Sequence, residues 1–321
     1  MRREPVISVL LPVWNGEQYI RTSIQSALSQ TFQDFELIIL DDGSTDRTKE
    51  IVSQEFPDPR IVLKRLPHQG IVAALNEGLR ASRGQFIARM DVDDISLPQR
   101  LEKQINYLEN HPRCGIVGTT YYVMNATGHY TSIYPSLLDP ADVHLQLLYR
   151  NPLGHGTVMI RGSVLRENGL TYRAQATHYE DFDLWLRCSR VTEIANLAEP
   201  LYVWMDHPSS VSGQHQEVMS KETSAVISRV FTENEKVELI EKNMRHLLQT
   251  RYPTRENWSN YGTRLPALRR AEYQYHLYRL AWILVHQGRC LPASRLFLRS
   301  LCLGPQTYLT RMWGRLWTRR P

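Results

Sequence analysis

The first hundred residues alternate apolar, strand-like runs with segments at helical spacing, and this limits the fold more than any other feature. "VISVLLPVW" is followed by Ile20, Ile24 and Leu28, and "FELIILDDGSTD" by a helix beginning within Asp46 to Val52. "IVLKRL" is followed by Ile71, Ala74, Leu75, Gly78 and Leu79, and "QFIARMDVDD" comes fourth. Strands apolar throughout are buried on both faces. The pattern predicts an α/β, Rossmann-like, mostly parallel central sheet with helices on both faces. Ligands of such sheets bind beyond the carboxyl ends of the strands. The polar residues collect there, in "PVWNGE", "DDGSTD" and "DVDD" after the first, second and fourth strands.

The fourth strand runs into three carboxylates, Asp91, Asp93 and Asp94. Like charges this close repel and are costly to bury unpaired. One reading is a solvated strand-to-helix turn, with Pro98 in the first turn of a helix carrying Leu101, Ile105 and Leu108. The other is a divalent-cation site. Mg²⁺ and Mn²⁺ take oxygen ligands, commonly one or two carboxylates plus substrate phosphates. Three polar strand ends converging on one edge favour the cation. Phosphate devices that work without metal are missing: there is no Gly-x-Gly-x-x-Gly after the first strand and no Gly-Lys-[Ser/Thr] loop. A diphosphate would be held through metal on Asp91 and Asp93, and the cation would offset charge on a departing nucleoside diphosphate.

The chain of 321 residues has room for one large α/β domain and an appendage. Four scattered cysteines with no Cys-x-x-Cys pair read as reduced thiols, neither a zinc site nor a disulfide framework. The first apolar run is short and contains Pro12, unlike a secretory signal, and no run reaches the roughly 18 apolar residues of a membrane span. A cytoplasmic protein is expected. Beyond residue 110, "GIVGTTYYVM" and "HGTVMIR" read as strands, and "THYEDFDLWLRCSR" places an acidic pair at the start of a helix. The net charge of +5 hides an asymmetry: residues 264–321 hold eleven arginines and one acid, Glu272. That segment carries +10, which leaves −5 for residues 1–263. Leu277, Leu280, Ala281 and Leu284, then Ala293, Leu296, Phe297, Ser300 and Leu301, fall at helical spacing around "GRC" and Pro292. This predicts a helix hairpin. Its apolar faces suit packing on the rest of the chain, while arginines with Trp313 and Trp317 suit an anionic membrane surface. Peripheral attachment to the inner face of the cell membrane is therefore expected. Nucleic acid is not an expected partner, since the acidic body would repel it and no base-reading motif is present.

Five segments in order over residues 5–213, from "VISVLLPVWNGEQYI" through "ALNEGL", "ARMDVDD" and "NPLGHGTVMIR" to "YEDFDLWLR", resemble the family 2 glycosyltransferases of GT-A fold. The resemblance implies that Pro12, Trp14 and Asn15 line the nucleotide base, with Glu17 nearby, and that Asp42 reads the base edge. It implies that Asn76 touches sugar or phosphate, and that Asp91 and Asp93 form the Asp-x-Asp motif, with Asp93 the direct metal ligand. Asp181 matches the catalytic base with Glu180 beside it, and His207 matches an acceptor or metal contact. His155 reads as a structural histidine. The family's arginine before the fourth strand is missing in "AALN", and the Gln-x-x-Arg-Trp motif of processive synthases is absent. The implied protein has a GT-A catalytic domain at 1–215 and a helical, basic C-terminal extension at 216–321. It would transfer a single sugar, with inversion, from a UDP-sugar to a saccharide or lipid-linked saccharide acceptor in polysaccharide or glycolipid synthesis. One rival is a sugar-phosphate nucleotidyltransferase, but "PVWNGEQYI" has one glycine and no Lys or Arg where that class carries a Gly-rich basic loop. The other is an inactive GT-A-like module that associates with membranes.

Overall fold

The computed structural model describes residues 4–134, 139–207, 223, 225–232, 235–236 and 238–239. The chain divides into two compact units, Met1–Pro140 with Asn151–Val230, and Ala141–Arg150 with Phe231–Pro321. The expected boundary at residue 215, the helix hairpin and the Arg- and Trp-rich end all lie outside the described residues. Among the described residues, no helix is long and apolar enough to cross a membrane.

The first unit alternates as the apolar runs require: β1 (Ile7–Val13), α1 (Ile20–Leu28), β2 (Phe35–Asp41), α2 (Thr48–Glu55), β3 (Ile61–Arg65), α3 (Ile71–Ala81) and β4 (Phe86–Arg89). There follow β5 (Ile95–Ser96), α4 (Arg100–Asn110), β6 (Cys114–Asn125) and β7 (Tyr130–Tyr134). After α5 (Pro140–Gln146) come β8 (Met159–Arg161), α6 (Gly162–Glu167), α7 (Glu180–Cys188) and β9 (Glu193–Asp206). The strands form one sheet in the order β3-β2-β1-β4-β8-β6-β9-β5, with β7 on β6. Parallel pairing runs from β3 to β4. Beyond β4 the sheet is mixed, with β8 antiparallel to both β4 and β6, and β9 parallel to β6.

Helices cover both faces. Ile7, Val9, Leu11 and Val13 pack with Ile20 and Ile24 of α1, Ile51 and Val52 of α2, and Leu101, Ile105 and Leu108 of α4. On the other face α3 lies close enough that a Cβ on Gly78 would fall 2.7 Å from Leu40 and 3.0 Å from Leu10. Pro12 occupies a central strand, where its missing N–H would ordinarily break a ladder. The β1–β4 register ends at Leu10, whose carbonyl accepts from the Met90 N–H, so Pro12 lies past the last pair on that side. The fourth strand is shorter than its apolar run suggests: it stops at Arg89, turns across the acidic residues, and re-pairs at Ile95 and Ser96 with Val203 and Tyr202 of β9.

Where the parallel half meets the mixed half, α4 supplies the missing donors. Arg100 is fully buried, and its Nη2 donates to the Arg89 carbonyl at 2.6 Å and the Val158 carbonyl at 3.1 Å. Its Nε donates to Gln104 Oε1 at 3.1 Å, and Gln104 Nε2 reaches the carbonyls of Val117 and Thr157 at 2.9 and 2.8 Å. The guanidinium also lies 5.0 Å from the centre of the Tyr202 ring. Arg100→Met keeps the bulk but takes the donor from the Arg89 carbonyl, while the Val158 carbonyl keeps the Arg89 N–H at 3.0 Å, and it should cost about 2 kcal/mol in urea unfolding. An unchanged midpoint would show that this carbonyl does not need the guanidinium.

Candidate active site

One end of the site is built from the turns after β1 and β2. Asn15 adopts a left-handed φ of 51°, a conformation asparagine tolerates better than most residues. Its Oδ1 accepts from the Thr45 N–H at 2.8 Å, and its N–H donates to Ser44 Oγ at 2.9 Å. Glu17 Oε2 accepts from the Arg47 N–H at 3.0 Å. Asn15 and Glu17 thus lace the two turns together. Above them Trp14 is 55% exposed and stacks on His68, with ring centres 4.6 Å apart. Asp42 accepts the N–H groups of Gln69 and Gly70, each at 2.9 Å, at the start of α3, where a carboxylate is favoured. His68 Nδ1 stands 2.9 Å from the same carboxylate. A cavity of about 510 Å³ opens beside it, lined in part by Asp42, Gln69, Asn76 and Thr177. Asn76 faces a different task from the one its motif implied. Its Nδ2 donates to the Tyr172 carbonyl at 2.9 Å and its Oδ1 accepts from the Tyr172 N–H at 3.0 Å, so the amide is committed to backbone.

The three carboxylates after β4 go three ways. Asp91 pairs with Arg89, a buried residue of β4. Asp93 Oδ2 lies 2.8 Å from His207 Nε2, and the His207 ring stacks on Tyr19. Asp94 turns into the wall and accepts from the Met205 N–H at 2.9 Å. Burial, followed by the neighbouring charge of Asp93, pushes its carboxyl up to about 8. Dispersal relieves the repulsion the sequence poses, and it singles out Asp94 as structural. No group of three or more His, Cys, Asp or Glu among the described residues is arranged to enclose a metal ion. Asp91 and Asp93 are 32% and 24% exposed at their side chains. Two partly open carboxylates, one of them against an imidazole, fit a cation that completes its shell with substrate oxygens better than an all-protein cage.

The opposite wall is the first turn of α7, whose acids Glu180, Asp181 and Asp183 suit a helix N-terminus. Asp183 is tied to Arg187 at 2.8 Å and serves the fold. Asp181 is buried, accepting from its neighbour's Phe182 N–H at 2.6 Å and from Asn151 Nδ2 at 2.7 Å. Burial, then the charge of Glu180, pushes its carboxyl up to about 7. Glu180 is raised by burial as well, and its Oε2 has no hydrogen-bond partner among the described residues. Its Oε1 lies 3.6 Å from His155 Nδ1, and His155 Nε2 lies 3.0 Å from the Tyr172 hydroxyl. Burial and the charge of Arg89 hold His155 well below the usual histidine range, so the ring is neutral. His155 therefore belongs to the site wall. Motif reading also passed over Arg89, Asn151 and Tyr202, whose hydroxyl accepts the Asp91 N–H at 3.0 Å. Arg89 did leave a signal, as a charged residue in a strand otherwise apolar.

This sheet order, with an acidic turn after β4 and a carboxylate heading α7, is the plan of a GT-A glycosyltransferase. Residues 8–167 match the model of glycosyl transferase family 2, and the chain belongs to that family. An uncharacterized glycosyltransferase of Haemophilus influenzae is 32% identical over 246 residues, 71% of this chain and 74% of its own. Among solved structures, TarS 1-349 of S. aureus in complex with UDP-GlcNAc superposes with a TM-score of 0.58 at 17% identity, over 96% of this chain and 92% of TarS. The mannosyltransferase PcManGT of Pyrobaculum calidifontis, in complex with GDP-Man and Mn²⁺, gives 0.56 at 15% identity, over 99% and 89%.

The raised carboxyl of Asp181 has a consequence for stability. Its carboxyl is pushed up to about 7 in the fold against 3.8 for an aspartate open to water, so the folded chain holds the extra proton between those values. Stability then falls as pH rises from about 4 through 7. Asp181→Asn removes this cost and should exceed wild type by on the order of 1 kcal/mol at pH 8. The two proteins should converge near pH 4 in urea unfolding.

Proposed function

We propose that this glycosyltransferase moves a single sugar, with inversion, from a nucleoside-diphosphate sugar to an acceptor hydroxyl, with Asp181 as the base. The observation that carries this reading is a buried carboxylate whose proton affinity lies near neutrality, where a general base works best. Asp181 takes the acceptor proton while the acceptor oxygen attacks the anomeric carbon. The bond from that carbon to the diphosphate oxygen breaks, and its electron pair leaves with the diphosphate. A single in-line displacement inverts the centre. Asn151 and the Phe182 N–H keep the carboxylate aimed.

Trp14 offers its exposed ring for base stacking. Asp42 retains lone pairs for a base N–H beyond its two backbone bonds. Pro12, Asn15 and Glu17 support that wall. Asp93, with Asp91 and His207 beside it, would hold Mn²⁺ or Mg²⁺; when bound, such a cation neutralises charge on the leaving diphosphate. The Asp93–His207 contact favours the metal role for His207 over an acceptor contact. The structural neighbour bound to UDP-GlcNAc supports a UDP-sugar donor, and the one bound to GDP-Man and Mn²⁺ supports the use of a cation. We assign catalysis to residues 1–215 and surface attachment to 216–321. The excess of arginine over acid in residues 264–321 supports work on a lipid-linked saccharide at an anionic membrane.

A panel of UDP-, GDP- and dTDP-sugars, scored by cation-dependent thermal shift and by transfer, tests the reading. Asp93→Ala should fold yet lose cation-dependent nucleotide binding, and activity surviving thorough EDTA treatment would remove the metal role. Asp181→Asn should lower kcat by on the order of 10² or more with donor affinity little changed. Collapse of donor binding with kcat intact would make Asp181 a binding residue instead.

A further inference from the structure

Trp14 offers a stacking face and Asp42 a hydrogen-bond acceptor, and in this structure one side chain already uses both. The imidazole of His68 stacks on the indole with ring centres 4.6 Å apart and 20° between the planes. Its Nδ1 lies 2.9 Å from Asp42 Oδ2 and 3.0 Å from the Asp42 carbonyl oxygen. A carbonyl only accepts, and so does a carboxylate, so these partners assign the hydrogen to Nδ1 as donor. Asp42 is 4% exposed, and the N–H groups of Gln69 and Gly70 take two further positions on its carboxylate. A carboxylate offers about four such positions, so the imidazole fills most of what remains.

Planarity decides where another ring could go. A ring that stacks on Trp14 and also donates an N–H to Asp42 has to lie on the Asp42 side of the indole, in the layer the imidazole occupies. On the far face of the indole it would be two stacked layers away from that plane, on the order of 7 Å or more, and out of reach of Asp42. The backbone at His68 is fixed, while its ring is not. Gln69 and Gly70 are tied to Asp42, and the His68 N packs on Gly43, where a Cβ would fall 2.9 Å from it and φ is 74°. The His68 side chain is 53% exposed, so rotation about its own torsions turns the ring into solvent without moving the loop.

We infer that His68 fills the base subsite of the free enzyme as a stand-in for the base, and that the base of the donor takes over both contacts as the imidazole turns out. The features to be matched are a flat ring and a ring N–H. Uracil and thymine supply them at N3, and guanine at N1. Because the base gains a stack and a hydrogen bond only by displacing a like pair, it adds little net affinity, and the nucleotide is held mainly through its diphosphate. Apparent affinity is lowered by the fraction of molecules whose subsite is open. After transfer the same ring competes with the spent nucleotide and favours its release. The inference rests on reading Trp14 and Asp42 as the base subsite.

The test titrates the full chain with UDP and with GDP, each with Mg²⁺, by calorimetry and by the ring ¹H–¹³C resonance of His68, assigned by its loss in His68→Ala. Stacked on an indole, that resonance is displaced by the ring current. At saturation with the tighter of the two nucleotides it should move to the position it has in Trp14→Ala. His68→Ala should bind that nucleotide at least about fivefold more tightly than wild type, since every molecule then has an open subsite. If His68→Ala does not fold, the wild-type resonance decides. A resonance unmoved at saturation, or weaker binding by folded His68→Ala, overturns the inference and makes His68 a fixed wall behind the indole. Failure of the base reading shows separately, as Trp14→Ala and Asp42→Asn binding like wild type, or as binding of neither nucleotide.

Discussion

Arg100 and Gln104, one turn apart on α4, provide the hydrogen bonds that the sheet cannot provide for itself where its parallel and mixed halves join. Between them they donate to four carbonyls, from Arg89, Val158, Val117 and Thr157, of which Val158 also accepts the Arg89 N–H. Buried carbonyls without donors are expensive, so this junction would not otherwise stay closed. Burial lowers the affinity of Arg100 for its proton to about 10, so the group that closes the junction is itself held at a cost. Function hangs from this seam. The Arg89 carbonyl is fixed there, the Arg89 side chain meets Asp91, and Gln104 holds the Thr157 carbonyl at the end of the short turn that carries His155.

The same economy governs the acids. Asp42 has two backbone N–H donors, Asp91 a guanidinium, Asp93 an imidazole and Asp94 a backbone N–H of β9. Asp94 and Asp181 are less well provided than the others: burial raises the one to about 8 and the other to about 7, further than their hydrogen bonds lower them. Well-solvated or ion-paired carboxylates bind protons weakly at neutral pH; one that is under-compensated can take a proton from a hydroxyl.

The N-terminal half of this fold was legible because β1 to β4 are apolar on both faces and separated by helices with clear apolar stripes. The mixed half was not, because β5 and β8 have two and three residues, too short for a period to declare itself. Their partners are far away in sequence, 108 positions for Ile95 with Val203 and 75 for Phe86 with Arg161. At the site, the acidic turn was recognisable as a unit, but spacing could not separate Asp94 from Asp91 and Asp93; that took the carboxylate's burial against the Met205 N–H. Asn76 sat at a motif position, yet only the packing of the loop at Tyr172 shows where its amide is spent. Asn151 lay inside a recognised segment without any pattern to mark it, since a single amide serves as well in a turn as on a base.

β8 carries a consequence for how such an enzyme changes over time. In an all-parallel sheet only loops that follow strands border the ligand edge. Because β8 runs the other way, the segment that precedes it, with Asn151 and His155, reaches the same edge. The loops on the parallel side, which hold Trp14 and Asp42, are contributed by different stretches of chain and anchored to one another through Asn15 and Glu17. The two sets can therefore accumulate substitutions on separate schedules, one wall of the site changing while the other keeps its shape.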